Sequence, residues 1–394
     1  MKKLKDRWLL TNAGLVLISG LAGLSGYVFN LLISRLWDVL TLGGIIGVLG
    51  AVAFLGLPAT LMILPVAQWS IRSAAWRKKL PQYQLATFLA GLLLLGLLLL
   101  LEPLWAQRIA VPPDWRLPLY LWLLPAYLFA FNTGVFLGRR AYWMMGIVSG
   151  IPQIGKPVLL SLGFLWEPLT HTSASALWIA AAAQWAGTLI GAAGVYRIRQ
   201  TDVNRDLPAS LWATGWVSVA THAWITWDSA VAYMVLSAGG LSVYGVVSTL
   251  GKTPFYLANH VSNIGISEEG WGMNRKRATQ WMIVGVGLLV AIGFLAIGPF
   301  LMRLFGLTRG LPALLVYTLA NTILALIYFN TGADAQEGKH TWYPVGLSLA
   351  AWTLWAAAAR PDETEFMFGI GLFLLLALLG GWGLKELYRR RERS

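Results

Sequence analysis

The chain has 394 residues, of which 57% are hydrophobic and only 12% are charged, whereas roughly 25% of a soluble domain is charged. The sequence therefore predicts an integral membrane protein. It contains no cysteine, which excludes disulfides and thiolate chemistry, and with four histidines it offers little to a metal, so we expect neither metal nor cofactor. The formal charge of +13 lies in short clusters between apolar runs, a pattern typical of membrane topology and not of nucleic-acid binding.

Twelve apolar stretches follow one another along the chain, and each is long enough to cross about 30 Å of hydrocarbon as a helix. They lie at residues 9–36, 42–69, 84–104, 117–138, 142–166, 174–196, 209–236, 241–266, 279–304, 310–331, 342–359 and 366–386. Of the 30 basic residues, 22 lie at one alternating set of span ends, five at the opposite set and three within spans. The positive-inside rule then places both termini in the cytoplasm, and the first stretch, which lacks a cleavage site, is a retained span.

The second half of the chain repeats the first. Gly44–Gly50 matches Gly245–Gly251 at an offset of 201 residues, and Phe131-Asn-Thr-Gly134 matches Phe329-Asn-Thr-Gly332 at an offset of 198. A third match follows at an offset of 200. Because six spans separate the matching motifs, and six is an even number, the two halves have the same orientation in the membrane.

These observations predict an all-α integral membrane protein, with twelve transmembrane helices in two parallel pseudo-symmetric six-helix lobes around a central cavity. We expect the N-terminal lobe at residues 1–200 and the C-terminal lobe at residues 209–394. The polar segment 201–208 is expected to be the cytoplasmic loop between the lobes. A substrate path is expected between them.

Two stretches carry a resemblance to a known family. The first span reads Leu21-Ala-Gly-Leu-Ser-Gly-Tyr-Val-Phe-Asn30 and closes with Ser34-Arg35, and Gly134-Val-Phe-Leu-Gly138-Arg-Arg leads into the fifth span. With twelve spans in two lobes, the chain resembles the polysaccharide-export branch of the multidrug/oligosaccharidyl-lipid/polysaccharide (MOP) flippase superfamily. The resemblance implies a transporter of the bacterial cytoplasmic membrane, which moves an oligosaccharide linked to undecaprenyl pyrophosphate for cell-surface polysaccharide biosynthesis.

The eighth span is long enough to cross a membrane and carries one ordered set of polar side chains. At about 100° per residue these side chains fall on one narrow face of a helix, and their spacings are 4, 4, 3 and 4: Ser248, Lys252, Tyr256, Asn259 and Asn263. A lysine near the bilayer midplane is costly enough to require a partner, water or a function. The equivalent face in the first half is not polar, so the two halves differ at this position. We therefore expect the polar face of the eighth span to take part in substrate recognition.

Two lysines, one in each half, lie near mid-depth. Lys156 lies in the fifth span on a face shared with Gln153, and Lys252 lies in the eighth. Together they suit a cavity that holds an anion such as a pyrophosphate. The alternative is that Lys252 forms a structural ion pair with Asp228 of the seventh span. The sequence leaves both interpretations open.

Further polar residues are also open to two interpretations. Asn30 belongs to a stripe of small and polar residues on the first span, which suits either substrate contact or close helix packing. Arg35 lies near the outer mouth, where it either contacts substrate, pairs with Asp38 or extends to the lipid headgroups. His222 and His260, with Asp228, are candidates for coupling to a proton or other cation; the alternative is that the histidines are hydrogen-bonded packing residues.

The sequence contains no phosphate loop of the Walker type, no His-Glu-x-x-His and no Ser/His/Asp set at a recognisable spacing. We therefore expect a flippase and not an enzyme, driven by a substrate gradient, an ion gradient or the membrane potential. Its expected partners are the lipid-linked anionic oligosaccharide, membrane lipids and a coupling cation or proton, without nucleic acid. The pyrophosphate is assigned to Lys156, Lys252 and Arg35, and the sugar or headgroup to Asn30, Tyr256, Asn259 and Asn263.

Two other functions remain as alternatives. An ion-coupled exporter of cationic drugs, from the sister branch of the superfamily, would need an acidic cavity, and Asp228 is the one clear carboxylate at mid-depth. A membrane glycosyltransferase or polymerase would need essential carboxylates in the outer loops, such as Asp114 or Glu365.

Overall fold

A computed structural model describes residues 18, 21–72, 76–109, 111–139, 141–164, 172–198, 211–258, 273–336, 339 and 341–393. Within these ranges all regular secondary structure is helical, which confirms the predicted all-α class. The helices are α1 (Leu21–Leu36), α2 (Val39–Leu55), α3 (Leu57–Leu61), α4 (Ile63–Arg72), α5 (Trp76–Ile109), α6 (Pro113–Leu123), α7 (Ala126–Gly138), α8 (Tyr142–Phe164), α9 (Ala174–Val195), α10 (Leu211–Val235), α11 (Ala238–Gly251), α12 (253–258), α13 (Met273–Leu304), α14 (Leu311–Gln336), α15 (Tyr343–Ala359) and α16 (Glu363–Arg393).

Every one of the twelve predicted spans overlaps with at least one of these helices. In the described part of the chain, seven segments are long and apolar enough to cross a membrane by themselves, and α2 joined to α3 and α4 would add an eighth. The protein is therefore a multi-pass membrane protein. The joined segment is bent by 49°.

Several helices begin where a polar side chain satisfies the free backbone N–H groups of the first turn. Asp38 accepts a hydrogen bond from the N–H of Thr41 at the start of α2, and the Ser237 hydroxyl accepts one from Gly240 at the start of α11. At the start of α16, the Asp362 carboxylate accepts hydrogen bonds from the backbone N–H groups of the first turn. Such caps stabilise a helix by about 1 kcal/mol each and fix where it begins.

The chain divides into two compact units. The first consists of residues up to Leu32 together with Leu55–Leu207, and the second of Ile33–Phe54 together with Pro208–Ser394. The segment Ile33–Phe54, which the sequence repeat assigns to the first half, thus packs within the second unit.

In the first unit, α7 is the central helix and packs against α4, α5, α8 and α9. Its side chains Phe131, Val135 and Phe136 form a buried cluster with Trp76 and Leu80 of α5. The Arg139 guanidinium lies 4.6 Å from the centre of the Trp76 ring, so the cluster ends in a cation–π contact.

In the second unit, α14 is the central helix and packs against α10, α11, α13 and α16. The core is aromatic: the rings of Trp224 and Trp352 lie 5.3 Å apart, and Phe366 packs against both Trp352 and Tyr244. The Trp224 indole N–H donates to the carbonyl of Val345 at 3.1 Å, so this buried polar group is satisfied.

The internal repeat extends to burial and hydrogen bonding. The repeat-equivalent helices α5 and α13 are the most apolar of the described spans, and only 17% and 22% of the residues in their most apolar segments are buried, as expected for helices that face lipid. In each unit a glutamine of this helix donates to the asparagine of the repeated Phe-Asn-Thr-Gly motif: Gln84 to Asn132 at 3.2 Å, and Gln280 to Asn330 at 2.6 Å. These two bridges occupy equivalent positions in the two halves.

Candidate functional site

Lys252 lies at a turn between α11 and α12, and its ammonium group is buried. Its Nζ donates to the backbone carbonyl of Ile225 at 2.7 Å, to Asp228 Oδ1 at 3.1 Å and to the Ser229 hydroxyl at 3.0 Å. A lysine ammonium has three N–H donors, so all of them are used. The ion pair with Asp228, which the sequence left open, is present in the structure.

Two tyrosines complete the buried network, which comprises Asp228, Ser229, Tyr244, Lys252 and Tyr317. The Tyr317 hydroxyl donates to Asp228 Oδ2, and the hydroxyls of Tyr244 and Ser229 lie 2.9 Å apart. Asp228 is only 2% exposed. Sequence reasoning missed both tyrosines: Tyr317 lies on α14 in an apolar stretch, whereas Tyr244 lies four residues before Ser248, and this spacing could have added it to the polar face.

The predicted polar face of the eighth span is not continuous. A turn at Lys252 interrupts the helix, which corrects the prediction of one uninterrupted helix over residues 241–266. Ser248 is buried and donates to the carbonyl of Gly245 at 3.4 Å, whereas the Tyr256 side chain is half exposed. Asn259 and Asn263 lie outside the described residues. Their role in substrate contact stays a prediction.

Lys156 lies in α8 of the first unit, and its surroundings differ from those of Lys252. Its Nζ donates to Gln153 Oε1 at 3.1 Å and lies 5.9 Å from the centre of the Phe29 ring. Among the described residues no carboxylate lies within ion-pair distance of Lys156. Among the described residues, its positive charge thus contacts an amide oxygen and an aromatic ring.

Arg35 and Asn30 lie on α1. The Arg35 side chain is exposed and its guanidinium donates to the carbonyl of Leu304, while the Asn30 side chain is partly buried. The alternative of an ion pair between Arg35 and Asp38 is wrong, because the Asp38 carboxylate instead caps α2 through the N–H of Thr41. Whether Arg35 and Asn30 contact substrate stays a prediction.

His222 lies on α10, six residues before Asp228. Its Nδ1 lies 2.8 Å from the carbonyl of Ser218, and because a carbonyl only accepts, Nδ1 carries the proton and Nε2 is the basic nitrogen. The edges of the ring pack against Phe255 and Tyr328, with ring centres 5.9 Å apart in both pairs. His260 lies outside the described residues. The coupling roles of His222, His260 and Asp228 stay predictions.

The described part of the second unit buries two carboxylates, and each is paired with a lysine. Asp228 pairs with Lys252, and Asp334 pairs with Lys385 and accepts a hydrogen bond from the Thr341 hydroxyl at 3.2 Å. In the described part of the first unit, Glu102 pairs with Arg116 at 2.6 Å. Across the described ranges, no three His, Asp or Glu side chains lie together as a metal site would require.

The described helices adopt a fold similar to that of MATE transporters, one of which is described as a member of the MOP superfamily, and this confirms the predicted fold class. The bent form of the Vibrio cholerae MATE transporter VcmN matches 100% of this chain over 98% of its own length, with a TM-score of 0.63 and 16% identity. The outward-facing form of a multidrug resistance MATE family transporter matches 98% of this chain and 97% of its own, with a TM-score of 0.57 and 14% identity.

A third neighbour is a MOP superfamily transporter from Pyrococcus furiosus, for which a reverse polarity of the binding pocket is described as suggesting a different function. The match covers 97% of this chain and 95% of the P. furiosus chain, with a TM-score of 0.56 and 13% identity. No protein-family model matches the chain, and no curated protein sequence matches it significantly. At these identities the likeness is one of fold, and it leaves the substrate open.

Proposed function

We propose that the chain is a flippase that moves a lipid-linked oligosaccharide, carried on a polyprenyl pyrophosphate, across the bacterial cytoplasmic membrane by alternating access. The fold supports a membrane transporter of the MOP superfamily. The charge of the described spans supports an anionic substrate. Both termini are assigned to the cytoplasm, where the basic span ends lie.

The observation that carries the proposal is the difference between the two intramembrane lysines. Lys252 is fully engaged by Asp228, Ser229 and Ile225, so its charge is already compensated. Lys156 has Gln153 and Phe29 as partners and no described carboxylate. An uncompensated charge within a span is costly, so an anionic group of the substrate that pairs with Lys156 would form a strong, charge-assisted contact there.

An exporter of cationic drugs requires an uncompensated carboxylate. In the described spans, both buried carboxylates, Asp228 and Asp334, already pair with lysines. The polarity is thus the reverse of what a cationic substrate would need. For the P. furiosus neighbour, too, a reverse polarity of the binding pocket is described as suggesting a different function.

Within the proposed site, Lys156 binds the pyrophosphate and Gln153 positions its ammonium group. Arg35, Asn30 and Tyr256 remain candidates for contacts with the headgroup or sugar. Lys252 holds the second unit together through Asp228 in this conformation, and the polyprenyl chain stays in lipid.

The test compares three variants in proteoliposomes that contain a fluorescent polyprenyl-pyrophosphate oligosaccharide. A charged hydrogen bond to an anion contributes about 1.5–3 kcal/mol, so Lys156→Met should lower flipping roughly ten- to hundredfold. Lys156→Arg should retain part of the rate because it keeps the charge. Gln153→Met, one turn away on α8, keeps the lysine and serves as the matched control with a smaller loss.

If the Lys156→Met variant flips the probe at the wild-type rate, the assignment of this site is refuted. Export of a cationic dye by the wild type, with no movement of the lipid-linked oligosaccharide, would instead support the drug exporter and refute the proposed function.

A further inference from the structure

The last helix, α16, is longer than a membrane crossing requires. It runs from Glu363 to Arg393 and has 31 residues, whereas the repeat-equivalent helix α9, the last span of the first half, has 22. At 1.5 Å per residue α16 is about 46 Å long, against about 30 Å for the hydrocarbon core of a bilayer. The segment Lys385–Arg393, here called the α16 extension, therefore continues the helix beyond its apolar part.

The α16 extension is strongly basic. Its sequence contains two glutamates and five basic residues: Lys385, Arg389, Arg390, Arg391 and Arg393. Five positive charges less two negative ones give the extension a net charge of +3. A cluster of lysine and arginine directly beyond the end of a transmembrane helix is the pattern that attracts the headgroups of anionic lipids.

The exposed face of α16 continues from the span into the extension. Ile370 and Ala377 are buried on the face that packs on α14 and α15. On the opposite face, exposed apolar side chains follow one another at helical spacing: Phe368, Leu372, Leu376, Leu379, Trp382 and Leu387. Arg390, which is also exposed, continues this row within an arc of about 140°. One face of the helix thus changes from apolar to basic along its axis, as the surroundings of a membrane helix change from acyl chains to headgroups.

Two exposed aromatic side chains mark the level of this change. Trp382 lies on α16 and Tyr343 at the start of α15, and both are exposed. A Cβ added at Gly380 would lie 3.1 Å from Pro344 Cβ, so these two helix ends are neighbours. Tryptophan and tyrosine prefer the interface between hydrocarbon and water. Arg390 is eight residues beyond Trp382, about 12 Å along the helix axis, from where a long side chain can reach back to the headgroups.

The start of the extension is fixed to the rest of the second unit. The Lys385 ammonium pairs with the buried carboxylate of Asp334 on α14, which also accepts a hydrogen bond from the Thr341 hydroxyl. This lysine is engaged within the protein, whereas Arg390, five residues later, is exposed. The ion pair therefore holds the end of the span in place and sets the direction in which the basic segment leaves it.

We propose that the α16 extension binds the headgroups of anionic phospholipids at the membrane surface, while Trp382 and Leu387 contact the boundary between headgroups and acyl chains. The partner is a lipid surface and not a soluble anion, because the basic segment continues a row of apolar side chains that faces the acyl chains. The inference does not depend on which substrate the protein transports.

The test uses the full chain, purified in a neutral detergent, with a fluorophore on a single cysteine. The chain contains no native cysteine, and Gly383 is exposed with nothing within 4 Å of an added Cβ, so Gly383→Cys places the label next to Trp382. Phosphatidylglycerol is added in steps, and phosphatidylcholine in a parallel series. We expect a saturable change in fluorescence with phosphatidylglycerol alone. About 1 M salt should abolish it, because the Debye length then falls to about 3 Å.

The charge-removal variant replaces three arginines of the extension with glutamine: Arg389, Arg390 and Arg393. A basic residue near an anionic surface strengthens binding about fivefold, so this variant should need roughly a hundredfold more phosphatidylglycerol for half of the change. The matched control replaces three arginines at the opposite end of the spans of this unit, Arg303, Arg309 and Arg360, and should respond like the wild type. Lysine at positions 389, 390 and 393 should retain the response because it keeps the charge.

Equal shifts in the charge-removal variant and its matched control, or an equal response to phosphatidylcholine, would overturn the proposal. The same fluorescence change with inorganic phosphate and no lipid would also overturn it, since it would indicate a site for a soluble anion. Thermal unfolding in the same detergent verifies that each variant is folded. If the charge-removal variant is not folded, Arg390→Gln alone decides, with binding expected to be about fivefold weaker than in the wild type.

Discussion

Replacing Asp228 or Lys252 tests the role of their ion pair in the second unit. Asp228→Asn leaves the Lys252 ammonium without a counter-charge, and Lys252→Met leaves the carboxylate with only the Tyr317 and Ser229 hydroxyls. Both side chains are buried, at 8% and 3% exposure for the lysine and the aspartate. Neither remaining charge can therefore be solvated without a rearrangement of α10, α11 or α14.

The size of the effect follows from this burial. Removing one partner of a buried pair typically destabilises a protein by about 3–5 kcal/mol, because the other charge is left uncompensated. Replacing both partners with neutral residues of similar size is often close to neutral. We therefore expect each single variant to lose about 3–5 kcal/mol and the double variant Asp228→Asn/Lys252→Met to recover most of that loss.

The assay compares the thermal unfolding of the wild type and the three variants in the same detergent. The fraction of protein that remains monodisperse after heating is measured at each temperature. Both single variants should unfold at clearly lower temperatures than the wild type, and the double variant should lie close to it. Single variants that unfold at the wild-type temperature would refute the reasoning. If the loss of stability in the double variant equals the sum of the two single losses, the two residues do not act as a pair.

The same set of variants separates a structural role of Lys252 from a role in substrate binding. A loss of export in a Lys252→Ala variant would be ambiguous by itself, since that change also leaves the Asp228 carboxylate buried without its lysine partner. A folded double variant that flips the probe normally would assign Lys252 to structure. A folded double variant that has lost flipping would show that the pair takes part in transport, either through pyrophosphate binding by Lys252 or through coupling at Asp228.

Two further predictions concern packing and the repeated amide bridge. A Cβ at Gly138 would lie 2.3 Å from a backbone carbonyl oxygen, whereas nothing lies within 4 Å of a Cβ at Gly96. We therefore expect Gly138→Ala to destabilise the protein by about 1–3 kcal/mol and Gly96→Ala to stabilise it slightly. Thermal unfolding measures both effects. Asn132 is fully buried and also donates a hydrogen bond to a backbone carbonyl. We therefore expect Asn132→Ala to lower the free energy of unfolding more than Asn330→Ala, for which we expect a loss of about 0.6 kcal/mol. An equal loss of stability in the two variants would contradict this comparison.

The sequence was a good guide to the helices because each span must satisfy its own backbone hydrogen bonds in lipid. All twelve predicted spans overlap with helices, and the Phe-Asn-Thr-Gly repeat corresponds to two equivalent hydrogen bonds, Gln84 to Asn132 and Gln280 to Asn330. The contact of Lys156 with Gln153 also follows from their spacing of three residues, since residues three apart are neighbours on a helix.

The partners of Lys252 were less accessible to sequence reasoning. Spacing on α11 predicted a polar face, but the lysine contacts α10, and the Tyr317 hydroxyl reaches Asp228 from α14, 89 residues away. The Arg35 guanidinium likewise contacts Leu304 and not the nearby Asp38. Contacts between helices depend on which faces meet, and helical periodicity specifies only which residues share a face.

The sequence by itself thus determined the membrane class, the twelve spans, the repeat and the presence of one lysine within a predicted span of each half, because hydropathy, charge at span ends and spacing are local properties of the chain. Only the tertiary structure decided that the charge of Lys252 is compensated by Asp228, while Lys156 has no described carboxylate partner. It alone also showed that Ile33–Phe54 packs with the second unit. The physical reason is that compensation of a buried charge, and the unit on which a helix packs, depend on side chains distant in sequence.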